Sequence, residues 1–127
     1  MEKAIRILVI EDDLSLCDAL SEIFKSQHYL FQILNSASNI LNVVASFKPN
    51  VILLDYVLPC TNGGEICCLL RHDKNAQQIP IIIYSALSLQ MLSISECLYD
   101  SFIEKPFDLK DLIDGIERHS KGLRAIF

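Results

Sequence analysis

Four consecutive apolar residues, Val51-Ile52-Leu53-Leu54, run directly into a carboxylate, Asp55, and Pro59 follows shortly after. An unbroken apolar run of this kind suits a strand covered on both faces, the pattern of a parallel sheet. Pro59 then keeps the backbone from continuing as a regular element. In an open parallel α/β sheet, ligands gather beyond the carboxyl ends of the strands. An acid at that place is a candidate for chemistry.

The rest of the chain alternates in the way such a sheet requires. Ala4 to Ile10 is a short apolar run with one charge, Arg6, and it stops at Glu11-Asp12-Asp13. Leu14, Cys17, Leu20, Ile23 and Phe24 then recur at helical spacing, predicting a helix over 14–27 with Asp13 as its N-cap. Tyr29 to Leu34 reads as a second strand, and the Asn-Ser-Ala-Ser cluster at 35–38 starts a helix bearing Ile40, Leu41, Val44 and Phe47. After the Asp55 strand, Gly63-Gly64 opens a helix with Ile66, Cys67, Leu69 and Leu70 that ends near Asp73. Pro80 to Tyr84 is another buried strand, closing at Ser85-Ala86, and a short irregular helix is expected between Leu87 and Tyr99. Phe102-Ile103 is a brief last strand before Glu104-Lys105-Pro106-Phe107, and Asp108 caps a final helix bearing Leu109, Leu112, Ile113 and Ile116. Five βα units imply a parallel sheet with helices on both faces and right-handed crossovers. Residues 1–127 read as one domain, without linker or repeat.

Composition narrows the function. Eleven Lys and Arg against sixteen Asp and Glu leave a net charge of −5, unlike the clustered positive surface of a nucleic-acid binder. The apolar runs fall far short of a membrane span, and Met1-Glu2-Lys3 leads straight into a strand, so a soluble cytoplasmic protein is expected. The five cysteines include no CxxC pair, and Cys60, Cys67 and Cys68 fit no zinc spacing. They read as buried or half-buried thiols of a reducing compartment.

Glu11-Asp12, Asp55, Ser85 and Lys105 close the first, third, fourth and fifth strands, so their side chains should converge on one rim of the sheet. Three carboxylates brought close together repel, and they either share protons or bind a hard cation. Oxygen donors of this kind suit Mg2+. A metal, an ammonium and a hydroxyl donor around a nucleophilic carboxylate are what a phosphoryl group requires.

In this order and spacing, Ile7-Leu8-Val9-Ile10-Glu11-Asp12-Asp13, Val51 to Asp55 with Pro59 and Gly63, Ile79 to Ala86, and Phe102 to Phe107 resemble the receiver domain of two-component response regulators. The resemblance covers essentially the whole chain. It implies a flavodoxin-like, doubly wound five-stranded parallel sheet of order 2-1-3-4-5 with five helices. By the same resemblance Asp55 is the phosphoacceptor. Glu11, Asp12, Asp55 and the Val57 backbone carbonyl hold Mg2+ (or Mn2+), and Lys105 pairs with the acceptor and then with the phosphate. Ser85, Ala86 and Phe102 are the phosphate-binding and switch positions, and Val57 and Leu87 tune loss of the phosphoryl group. Asp13 either supports the metal pair or simply caps its helix.

The implied partners are a sensor histidine kinase or phosphotransfer protein and a downstream effector reached through the 87–120 face, in a monomer or a weak, phosphorylation-dependent dimer. The domain itself is expected to bind neither nucleic acid nor membrane and not to be a turnover enzyme. A degenerate receiver acting only as a protein-binding module is the rival reading, but no acid or lysine is missing. A small phosphatase is the other, and Val57 stands where its second aspartate belongs. The chain departs from the family between Ser85 and Lys105: the segment is about two residues short and lacks the Gly-Ala pair before the last strand. Between Leu87 and Tyr99 its only charge is Glu96. Leu89, Met91, Leu92, Ile94, Leu98 and Tyr99 there imply either a deeply packed helix or an apolar partner surface.

Overall fold

A computed structural model of the protein describes residues 4–86 and 99–121. Five strands form one parallel sheet: β1 (Arg6–Ile10), β2 (Leu30–Leu34), β3 (Val51–Asp55), β6 (Ile81–Ser85) and β7 (Ser101–Glu104). Their spatial order is β2-β1-β3-β6-β7, the 2-1-3-4-5 order expected. Four helices are described: α1 (Leu14–Ser26), α2 (Ile40–Phe47), α3 (Gly63–Arg71) and α4 (Leu109–Lys121). The helix expected between Leu87 and Tyr99 lies almost wholly outside the described residues, as does Leu87 itself.

Side chains alternate across a strand, and here each alternation serves a different core. Leu8, Ile10, Ile52, Leu54, Ile81 and Ile83 pack with Ile40, Val43 and Val44 of α2 and Ile66, Cys67 and Leu70 of α3. Ile7, Val9, Val51, Leu53, Ile82 and Tyr84 pack on the other face with Leu20 and Phe24 of α1 and Leu112 and Ile116 of α4. Burial on both faces is why Val51 to Leu54 carries no polar residue. The buried stripes are narrower than periodicity suggested: Leu14, Leu69 and Leu109 remain largely exposed. Asn39 makes no side-chain cap, and α2 starts at Ile40, two residues beyond the polar cluster expected to open it. It stops at Lys48, which takes a left-handed conformation with Pro49 behind it.

One element escaped the sequence pattern. β4 (Val57–Leu58) and β5 (Thr61–Asn62) form a small antiparallel hairpin between β3 and α3. Asn62 then caps α3 by accepting from the Glu65 amide at 3.0 Å. The hairpin folds Gly63 back against the end of β3, where its amide donates to the Tyr56 carbonyl at 2.7 Å. A β-carbon on Gly63 would stand 2.9 Å from Tyr56 Cα and 3.0 Å from the Asp55 carbonyl oxygen, both backbone atoms. Gly63→Ala is therefore expected to destabilise the domain by about 1–3 kcal/mol in urea denaturation. Gly115→Ala, whose added carbon would meet only the tip of Ile82 at 3.7 Å, should be neutral or stabilising.

Cys68 on α3 is disulfide-bonded, against the expectation of thiols throughout. A disulfide follows from spatial proximity, which cysteine spacing along a chain does not encode.

Candidate functional site

The parallel ladder carries past the strand ends and fixes the backbone there. The Glu11 amide donates to Leu34 O at 2.9 Å, that of Tyr56 to Tyr84 O at 2.9 Å, and that of Lys105 to Ser85 O at 2.7 Å. Residues from β1, β3, β6 and β7 thus meet on one rim, as strand-end reasoning required.

Glu11 is fully buried and held from three sides. The Tyr84 hydroxyl donates to its Oε1 at 2.7 Å, Lys105 Nζ reaches the same oxygen at 3.1 Å, and the Asp13 amide donates to Oε2 at 3.1 Å. Its backbone carbonyl accepts from Asn35 Nδ2 at 2.9 Å and from the Cys17 thiol at 3.4 Å. Asp55, only 4% exposed, accepts from Lys105 Nζ at 3.4 Å and from the Val57 amide at 3.2 Å. Asp12 is exposed, and one carboxylate oxygen each from Glu11, Asp12 and Asp55 lie within 4.8 Å of one another.

The electrostatics follow from this crowding. Burial, then the hydrogen bond and negative charge of Glu11, push the Asp55 carboxyl up to about 7, with Lys105 and the Val57 amide opposing. Burial also pushes Glu11 up, but hydrogen bonds from Asp55, the Tyr84 hydroxyl, the Asp13 amide and Lys105 outweigh it, and the net shift is downward. Without metal, Glu11 is therefore the acid that ionises more readily and Asp55 the one that resists ionisation. Such a site is short of positive charge. Three hard oxygen donors, two of them buried, fit a small divalent cation such as Mg2+. Burial and the surrounding carboxylates push the neighbouring Cys17 thiol upward, which keeps it unreactive.

The other expected site residues divide. Ser85 is buried and ends β6 beside Asp55, and Ala86 follows it at the exposed rim. Asp13 caps α1, its side chain accepting from the Leu16 amide at 3.2 Å, and it touches the site only through its own amide. Val57 begins β4 with its side chain 53% exposed. Phe102 is half-buried against the α2 and α3 face, its ring centroid 6.4 Å from that of Tyr99. Sequence reasoning missed Tyr84, Asn35 and the role of the Cys17 thiol. Tyr84 reads as the last apolar residue of a buried strand, and nothing local marks its hydroxyl.

Comparison with known proteins gives the family and the fold. A family model described as the response regulator receiver domain matches residues 7–117. The DNA-binding response regulator MtrA of Mycobacterium tuberculosis is 31% identical over 110 residues, covering 85% of this chain and 47% of that protein. The response regulator MprA of Mycobacterium bovis is 28% identical over 116 residues, covering 87% and 48%. The chain thus spans about half the length of the curated relatives it matches. Among solved structures, the signal receiver domain of a signal transduction histidine kinase from Syntrophus aciditrophicus superposes with a TM-score of 0.86. It is 25% identical, over 98% of this chain and 96% of that one. The receiver domain of a sensor histidine kinase from Pseudomonas aeruginosa, solved with magnesium coordinated in its active-site cleft, gives 0.84 at 20% identity, over 94% and 100%. With nearly the whole chain matched and the acids and lysine assembled at the strand ends, the protein belongs to the response regulator receiver domain family, a family of signalling modules.

Proposed function

We propose that Asp55 is the phosphoacceptor of a two-component signalling protein, receiving the phosphoryl group from a histidine kinase or phosphotransfer protein. One Asp55 oxygen attacks phosphorus while the phosphorus–nitrogen bond of the donor phosphohistidine breaks, its electron pair leaving on the imidazole nitrogen. Glu11, Asp12, Asp55 and the Val57 carbonyl would hold Mg2+. Once bound, the cation would neutralise charge on the transferring oxygens and shift Asp55 to its nucleophilic, ionised form. Lys105 offers its ammonium to the incoming phosphoryl oxygens, and Ser85 and the Ala86 amide supply donors. The switch would then pass through Ser85 and Phe102 to the 87–120 face, where a partner reads it.

The observation that carries this reading is Lys105 Nζ standing between Glu11 at 3.1 Å and Asp55 at 3.4 Å. It places a cation beside the carboxyl that burial and Glu11 push up to about 7. The curated relatives are about twice as long as this chain, and the DNA binding in the name of one of them is assigned to no residue here. A net charge of −5 favours a protein partner for this domain over nucleic acid. A cytoplasmic setting follows from a kinase as phosphoryl donor, and no helix among the described residues is long and apolar enough to cross a membrane.

Incubation with Mg2+ and acetyl phosphate, read by intact-mass spectrometry, tests the proposal. A single phosphoryl gain that disappears when EDTA replaces Mg2+ is expected. No gain with Mg2+ present would return the chain to the binding-module reading, and continuous phosphate release would make it an enzyme. In the family resembled, the residues two after the acceptor and two after the hydroxyl position tune loss of the phosphoryl group. Here they are the apolar Val57 and Leu87, whose side chains cannot orient an attacking water, so the phosphoryl group should decay slowly. Loss of the mass gain within seconds in buffered Mg2+ would contradict this.

A further inference from the structure

Tyr84 is a residue of the site to which the sequence assigned no role, and it touches two of the residues that close the strands. It is fully buried at the end of β6 and its ring belongs to the α1 and α4 core. A buried tyrosine needs a partner for its hydroxyl, and the partner chosen here is Glu11 Oε1 at 2.7 Å, closer than the 3.1 Å bonds from Lys105 and the Asp13 amide. The same ring carries Lys105 Nζ 4.7 Å from its centroid, and Phe107, two residues beyond Lys105, packs edge-on against it at 5.9 Å. One side chain thus touches both the acid that closes β1 and the lysine that closes β7.

We propose that Tyr84 is a positioning residue: its hydroxyl holds Glu11 in the orientation that receives Mg2+, and its ring holds Lys105 beside Asp55. The proposal rests on the phosphoacceptor reading above and adds a residue to it. The two parts of the side chain do separate things. With Tyr84 on Oε1 and the Asp13 amide on Oε2, the Glu11 carboxylate is gripped at both oxygens and its plane is fixed, while lone pairs remain for a cation. Groups that orient a metal ligand in this way typically contribute about 10–100-fold to metal affinity. The ring face attracts the Lys105 ammonium through its quadrupole and keeps it from swinging out to solvent.

Tyr84→Phe separates the parts, because it keeps the ring and the core packing and removes only the hydroxyl. Calorimetric titration with Mg2+ should give a dissociation constant about tenfold weaker than wild type. Phosphorylation by acetyl phosphate should fall at limiting Mg2+ and rise again as Mg2+ is increased. Tyr84→Leu should bind Mg2+ as weakly and also phosphorylate slowly at saturating Mg2+, since Lys105 loses its platform. A purely packing role predicts the opposite for Tyr84→Phe: unchanged Mg2+ affinity whatever happens to thermal stability in EDTA. An affinity within about twofold of wild type overturns the proposal, the expected effect being at the low end of the range above.

Should Tyr84→Phe not fold, wild-type protein carrying tyrosine labelled with carbon-13 at Cζ supplies the same decision. The Tyr84 resonance, assigned by elimination with Phe variants of Tyr29, Tyr56 and Tyr99, must shift with the midpoint of the Mg2+ titration. A resonance that ignores Mg2+ overturns the proposal. Wild type that takes up no Mg2+ at all overturns the metal reading beneath it, a result distinct from a variant that binds as well as wild type.

Discussion

Asp55→Asn is expected to show no phosphoryl mass gain under conditions in which wild type is fully modified. The asparagine keeps the shape of the side chain and can still accept from the Val57 amide, so the fold is preserved. What it loses is the carboxylate at the end of β3, which has Lys105 at 3.4 Å and carboxylate oxygens of Glu11 and Asp12 within 4.8 Å. An amide is not a nucleophile toward phosphorus, and the loss should be complete rather than graded. Modification that persisted in the variant would place the acceptor elsewhere and sink the assignment.

The same substitution has a stability consequence whose sign is set by charge. In metal-free buffer the folded Asp55 holds its proton up to about pH 7, because it is buried and faces Glu11. In the unfolded chain an aspartate ionises near about pH 3.9. Between those values the native state binds a proton that the unfolded state has released, so this group's contribution to stability falls as pH rises across the window. Glu11 shifts the other way and offsets part of the slope. The asparagine cannot ionise. In EDTA its urea midpoint should therefore approach that of wild type near the acid end and exceed it increasingly toward neutral pH. Saturating Mg2+ should remove the advantage, since a bound cation favours the ionised Asp55 of wild type. Parallel pH profiles of the two proteins in EDTA would contradict the crowded-carboxylate picture.

The contrast between Asp55 and Tyr84 shows what a sequence carries and what it does not. Asp55, Glu11 and Lys105 were legible because each follows a run of strand-forming residues, and the geometry of a parallel sheet brings strand ends together whatever the loops do. The two-faced core was legible for the same reason: alternation along Ile7 to Ile10 and Val51 to Leu54 assigns each residue a side. The Tyr84 hydroxyl pairs with a carboxylate 73 positions away, and no periodicity reports a pairing of that kind. The β4–β5 hairpin has strands of two residues, too short for any pattern to register. Leu14, Leu69 and Leu109 lie near the apolar stripe, and only packing shows where its edge falls.

Arg71 belongs to that hidden class, and Arg71→Ala is expected to be the most destabilising single change outside the hydrophobic core. Its Nη2 meets Asp100 Oδ2 at 2.7 Å and its Nη1 meets the Ile79 carbonyl at 2.8 Å, with both charged side chains mostly buried. Asp100 Oδ2 also accepts from the Ile81 amide at 2.8 Å, so the pair ties the end of α3 to the starts of β6 and β7. Truncating the arginine leaves the Asp100 carboxylate without this counter-charge in a site that water barely reaches. Breaking such a pair costs about 3–5 kcal/mol, against a total stability of about 5–15 kcal/mol for a domain of this kind. Urea denaturation should register the loss in the midpoint, with an unchanged slope. Most of that cost is the stranded charge rather than the missing attraction. Arg71→Met combined with Asp100→Leu should therefore recover much of the stability that Arg71→Ala loses, less the bond to Ile81 N. Losses that simply add in the double variant would mean that the two charges do not act as a pair, and that α3 is anchored by its packing alone.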